Sequence, residues 1–164
     1  MRIVSRAALT LALALAAPAI SHAQAAAHPS FAGSWALDPA QSEAGQMTPT
    51  RLNLKITQSA NELVVDRDQA TQMGDSKVTL KYALDGSPSP NEIPIGGNAV
   101  KVSTVVTWEG QTPVFTSALK FGDNDVQQVD KWTLAEGGKK LLVTRSFNAG
   151  GQEMSSKLVL VKQP

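Results

Sequence analysis

Beyond residue 30, almost every segment of the chain alternates apolar and polar residues with a period of two, as strands with one buried face do. The alternation predicts strands over residues 31–37, 51–57, 61–67, 77–84, 100–108, 113–121, 126–134, 140–148 and 153–162. No comparable helical spacing follows the first 23 residues. Short strands separated by Gly, Asn, Asp and Ser predict an all-β antiparallel sandwich or barrel.

The turns give this pattern a register. A two-residue turn at Gly137-Gly138 suits glycine because both positions need positive φ, and it sets Leu134 opposite Leu141, Trp132 opposite Val143, Asp130 opposite Arg145 and Gln128 opposite Phe147. Gly150-Gly151 then sets Phe147 opposite Met154, Arg145 opposite Ser156, Val143 opposite Leu158 and Leu141 opposite Leu160. A loop over Gly122 to Asp125 places Phe115 opposite Trp132 and Ser117 opposite Asp130. Turns at Glu109-Gly110 and Ser59-Ala60 pair Thr104 with Phe115, Val106 with Pro113, Ile56 with Leu63 and Leu54 with Val65. Each turn keeps the same apolar face, which a one-residue slip would expose. Consecutive hairpins make a meander, and closing it into an up-and-down β-barrel removes the exposed edges.

The outward positions are Asn53 and Lys55, then Lys77, Thr79 and Lys81, then Lys101 and Ser103, then Lys131 and Thr133. A lipid-facing band does not tolerate such rows, so the predicted barrel is greasy inside and wet outside.

Composition changes the picture at the N-terminus. Arg2 and Arg6, the apolar run from Ala7 to Ile20, and Ser21-His22-Ala23 read as a secretory signal peptide over residues 1–23, too short and wrongly flanked for a membrane span. Residues 24–30 read as a flexible tail and 31–164 as the barrel domain, in a periplasmic or secreted protein. About 140 residues suffice for one core without disulfides, and the chain has no cysteine. Removing the leader lowers Lys plus Arg from 15 to 13 against 14 acids, turning a net +1 into −1. Without a positive field, nucleic acid is not an expected partner.

Catalytic chemistry finds little to work with. Outside the leader the one histidine is His28, which leaves no core triad or multi-histidine metal site. The pairs Asp66 and Asp68, and Asp123 and Asp125, lack the later bidentate acid of a calcium loop and suit turns. No cofactor, metal or catalytic residue is expected.

The first strand reads FAGSWALDPAQS, with Gly33-Ser34-Trp35 opening a meander-like chain. This resembles the lipocalins and the wider calycin superfamily, whose first strand carries Gly-x-Trp and whose last barrel strand carries an arginine over that tryptophan. Arg145 in LLVTRSF holds the corresponding place. The resemblance implies that Trp35 sits at the closed end with Arg145 stacked on it, while Asp130 neutralises the guanidinium and Ser117 or Ser156 shares hydrogen bonds. It departs from typical lipocalins in lacking disulfide cysteines and a helix after the barrel. Trp35, Asp130 and Arg145 thus read either as a structural clasp or as an anchor for a ligand anion.

A ligand site is expected among Tyr82, Val106, Phe115, Trp132 and Val143, with Trp108 at the mouth; the alternative is that these side chains simply fill the barrel. Residues 38–50 and 85–99, the latter with Pro88, Pro90 and Pro94, read as lids or partner-contact loops, or as ordinary surface loops. The function expected is non-catalytic binding of a small apolar or amphipathic molecule. A protein-interaction or inhibitor module acting through the two loops is the alternative, and an enzyme using barrel acids ranks last.

Overall fold

The computed structural model describes residues 28–43, 48–122 and 124–164, so the expectations for the signal peptide lie outside the described residues. Among these residues the chain forms ten antiparallel strands: β1 (Gly33–Leu37), β2 (Arg51–Gln58), β3 (Glu62–Thr71), β4 (Gly74–Ala83), β5 (Ser89–Ile95), β6 (Asn98–Glu109), β7 (Thr112–Phe121), β8 (Asn124–Ala135), β9 (Lys140–Ala149) and β10 (Gln152–Lys162). They form one sheet in the order β4-β3-β2-β1-β10-β9-β8-β7-β6-β5. The first strand therefore lies between the second and the last, pairing Trp35 with both Leu54 and Lys162.

The tenth strand corrects the expectation of a long loop over 85–99. Ser89–Ile95 pairs with β6 from Thr104 to Asn98, although it contains Pro90 and Pro94. Proline is tolerated there because β5 is a sheet edge. Across the remaining joint, side chains stand in for a backbone ladder. Ser89 Oγ accepts the Ala83 N–H at 2.8 Å, Asn91 Oδ1 accepts the Lys81 N–H at 2.9 Å, and Asn91 Nδ2 donates to the Lys81 carbonyl at 2.9 Å. These three contacts draw the open edges together into a nearly closed barrel.

Both C-terminal hairpins have the expected register, including Asp130 opposite Arg145 and Val143 opposite Leu158. Gly137 and Gly138 both take positive φ (64° and 82°) at the centre of the β8–β9 turn. Three other registers shift by two residues. Phe115 faces Asp130 and Ser117 faces Gln128, because the β7–β8 ladder runs on to the pair Phe121 and Asn124. Val106 faces Phe115, with the turn at Gly110-Gln111. Ile56 faces Val65 and Leu54 faces Arg67, because Ser59 Oγ accepts the N–H groups of Asn61 and Glu62 and lengthens that turn. A shift of two keeps every side chain on its face, so Phe115, Trp132 and Val143 share one buried interior.

The wall is wet, as its sequence requires: Asn53, Lys55, Lys77, Thr79, Lys81, Lys101, Ser103, Lys131 and Thr133 are all exposed. Asp68 binds Arg51 and Lys77 on this surface, and Asp66 accepts a hydrogen bond from Thr79.

One end of the barrel is sealed. Phe31, Trp35, Leu63, Leu141 and Leu160 are almost wholly buried there, each contributing roughly 1.5–3 kcal/mol by leaving water. The plug comes from residues expected to be tail. Gln58 accepts the Phe31 N–H at 2.8 Å and donates to the Pro29 carbonyl at 3.1 Å, while the Trp35 indole N–H donates to the Phe31 carbonyl at 3.0 Å. His28 stacks on Trp108, with ring centroids 3.6 Å apart. Trp108 therefore marks the sealed end and not the mouth.

The opposite end is the open one. Along the inner face toward it, Val78, Ile93, Leu119, Val126 and Phe147 keep partial exposure. The two large hydrophobics left exposed among the described residues, Met73 (53%) and Met154 (42%), sit at this rim.

Candidate functional site

Trp35 and Arg145 do not form the expected stack. The cation over Trp35 is Lys162, whose Nζ lies 5.3 Å from the ring, and the Arg145 guanidinium lies over Phe147 at 5.9 Å. The difference follows from strand number: β10, not β9, is the last strand, and it pairs directly with β1. Gly33 has φ +136°, where an L side chain is strained, and a Cβ there would stand 2.9 Å from Lys162 Cε. The spacing Gly33-x-Trp35 thus lets the Lys162 stem cross the first strand.

Arg145 instead belongs to a polar layer across the middle of the barrel. Its Nε and Nη2 donate to the two carboxylate oxygens of Asp130 at 2.8 and 2.7 Å, a bidentate fork. Gln128 Nε2 adds a third donor to Asp130 at 3.0 Å. Ser117, expected as a partner of this pair, hydrogen-bonds with Thr104 at 2.8 Å. Burial opposes the Arg145 charge, but Asp130 outweighs it and holds the guanidinium above its ordinary pKa.

Arg67 is the residue that the sequence reading missed. Its place two residues after Val65 continues the inward series Leu63, Val65, Arg67, and that alternation was the available signal. Its Nε is buried and has no hydrogen-bond partner among the described residues. Burial, and then repulsion from Arg145, push its pKa down, while Tyr82 and Asp130 pull weakly the other way.

These groups surround a partly enclosed cavity of about 50 Å³. Leu52, Leu54, Val65, Leu80, Val143 and Leu158 form its apolar wall. Tyr82, Phe115 and Trp132 line it as an aromatic run, with centroids 5.1 and 4.6 Å apart, and Arg67, Ser117, Gln128, Asp130 and Arg145 supply the polar side. Of the residues expected at a ligand site, Tyr82, Phe115, Trp132 and Val143 meet here. Val106 is packed in the adjoining core, and Trp108 lies at the sealed end. The cavity alone holds one or two waters, since a water occupies about 30 Å³. Larger depressions on the outer wall, over β5–β8 and over β1–β4, open to solvent and are floored largely by outward residues such as Lys101, Lys120, Asn53 and Lys77.

Burial pushes the Tyr82 phenol up to about 12, Arg67 opposing. The folded state then keeps a proton that the unfolded chain loses near pH 10, so this stabilisation is complete below pH 10 and is lost as pH rises toward 12. Its upper bound is about 3 kcal/mol, reduced because the side chain is not fully buried. Tyr82→Phe is expected to flatten the fall in denaturation midpoint between about pH 10 and 12. An unchanged slope would show that this phenol does not titrate with unfolding.

No protein-family model matches the chain, and no curated protein matches it. Among solved structures, a crystal structure of zebrafish ileal bile acid-binding protein complexed with cholic acid superposes with a TM-score of 0.51 at 19% identity, covering 81% of this chain and 98% of that one. The fold is a ten-stranded, nearly closed antiparallel up-and-down barrel, the architecture of that neighbour. At that identity the likeness concerns architecture. In this barrel the interior combines a sealed apolar floor, a charged middle layer and an open rim.

Proposed function

We propose that the protein is an exported, non-catalytic carrier that holds a small apolar or amphipathic molecule inside its barrel. The observation that carries this reading is the division of the interior: a packed end below, an incompletely satisfied polar layer at mid-height, and partly exposed apolar side chains leading to the rim. Such a space gives an amphipath separate surroundings for its two halves. Methionines at the rim suit an adaptable entrance. The superposed zebrafish protein is complexed with cholic acid, an amphipathic molecule, which supports the same use of the fold. Residues 1–23 support export to the periplasm or beyond.

Mass spectrometry of organic extracts from natively exported protein is expected to find a co-purified amphipath. Apolar dyes and fatty acids are expected to quench Trp132 emission competably. A well-folded sample that copurifies nothing and shows no competable quenching would turn the reading toward a protein-interaction module.

A further inference from the structure

Sulfur is unevenly distributed along this chain. There is no cysteine, and of the four methionines Met1 lies in the leader and Met47 outside the described residues. The other two, Met73 and Met154, are the exposed large hydrophobics of the open rim, whereas the buried core holds Phe, Trp, Leu, Ile and Val and no methionine. Met73 stands in the β3–β4 turn, where its N–H donates to Thr71 Oγ1 at 3.2 Å, so its backbone is held while its side chain stays in water. Met154 pairs with Phe147 across the β9–β10 ladder and shares the inner face of Leu158 and Leu160. Phe147 in turn lies under the Arg145 guanidinium, so Met154 flanks the way from the rim to the polar layer. The indoles, which are also oxidisable, are covered: Trp35 and Trp132 are buried and Trp108 lies against the His28 ring.

We infer that Met73 and Met154 are oxidation sites whose co-reactants are peroxides, and that their conversion to sulfoxides loosens the barrel's hold on an apolar occupant. This rests on the carrier reading and adds a control to it. The thioether sulfur attacks one peroxide oxygen, and the S–O bond forms as the O–O bond breaks. Sulfur loses two electrons, and the departing hydroxide takes the proton of the transferred oxygen and leaves as water. With no thiol in the chain, peroxide meets no faster sulfur target in it. The product replaces a flexible apolar side chain by a polar one at the place where an entering molecule first meets the wall. On the export reading the rim also faces a compartment without the thiol buffers of the cytosol.

The test treats the full exported protein with hydrogen peroxide and reads peptide masses and the affinity for the apolar dye Nile red. The wild type is compared with the double variant Met73→Leu/Met154→Leu, since leucine nearly conserves the volume and cannot take up oxygen. Near-UV circular dichroism reports that both proteins keep their cores. Met73 and Met154 are each expected to gain one oxygen before any tryptophan does, and the wild-type affinity is expected to fall about threefold or more as apolar contact at the mouth is lost. The double variant is expected to keep its affinity through the same treatment. Methionine sulfoxide reductases are expected to restore the affinity of the oxidised wild type. Unmodified Met73 and Met154 at a peroxide dose that oxidises free methionine would overturn the sites. Sulfoxides without a change in affinity, an equal loss in the double variant, or reduction without recovery would overturn their control of the mouth while leaving the carrier reading intact. An untreated wild type that binds no dye would remove the carrier reading, and this control with it.

Discussion

Asp130→Ala is expected to lower the unfolding free energy by about 3–5 kcal/mol, as removal of one partner from a buried ion pair does. The effect belongs at the upper end because Asp130 is the one carboxylate facing two guanidiniums. Without it, Arg145 loses both arms of its fork and Arg67 loses a carboxylate that favours its charge. The companion substitution has the opposite sign. Arg67→Met removes a largely buried charge that has no direct partner among the described residues, so it is expected to stabilise the protein, and in the double variant it is expected to recover part of the Asp130→Ala loss. Urea denaturation of the four proteins measures both terms. A cost below about 1 kcal/mol for Asp130→Ala would mean that water reaches the layer and screens it.

The second large effect is expected at the plug. Phe31 is 0% exposed although it stands outside the strands, held by Gln58 and packed edge-on to Trp132 at 6.0 Å. Phe31→Ala is expected to cost about 3–5 kcal/mol and to red-shift tryptophan emission, because the opening admits water to Trp35 and Trp132. A loss near zero with unchanged emission would show that the strands alone seal this end.

The sequence makes some of this architecture easy to read and hides the rest for identifiable reasons. The β8–β9–β10 pairing is legible because the glycines mark the turn centres, and Asp130, Trp132, Arg145 and Val143 take their expected partners. Elsewhere the centre is not marked by glycine alone. The Ser59 hydroxyl builds a longer turn than the dipeptide Ser59-Ala60 suggests, and it moves Arg67 into line with Leu54. Arg67 itself escapes because a charged side chain at the end of an apolar alternation looks like the end of the strand. β5 escapes because Pro90 and Pro94 argue against a ladder, which holds for an interior strand and not for an edge. The inversion of the open and sealed ends traces to three residues, Pro29 to Phe31, whose tertiary bonds to Gln58 and Trp35 have no local pattern.

Because β1 is clamped between β2 and β10, the ring joins the earliest strand to the latest. Lys162 covers Trp35, and the backbone of Gln163 still donates to Ser34. Local hairpins can zip one after another as the polypeptide lengthens, but Trp35 has no lid until Lys162, more than a hundred residues on, has joined it. Such long-range closure is slow to nucleate, and it makes barrel completion a late step in folding.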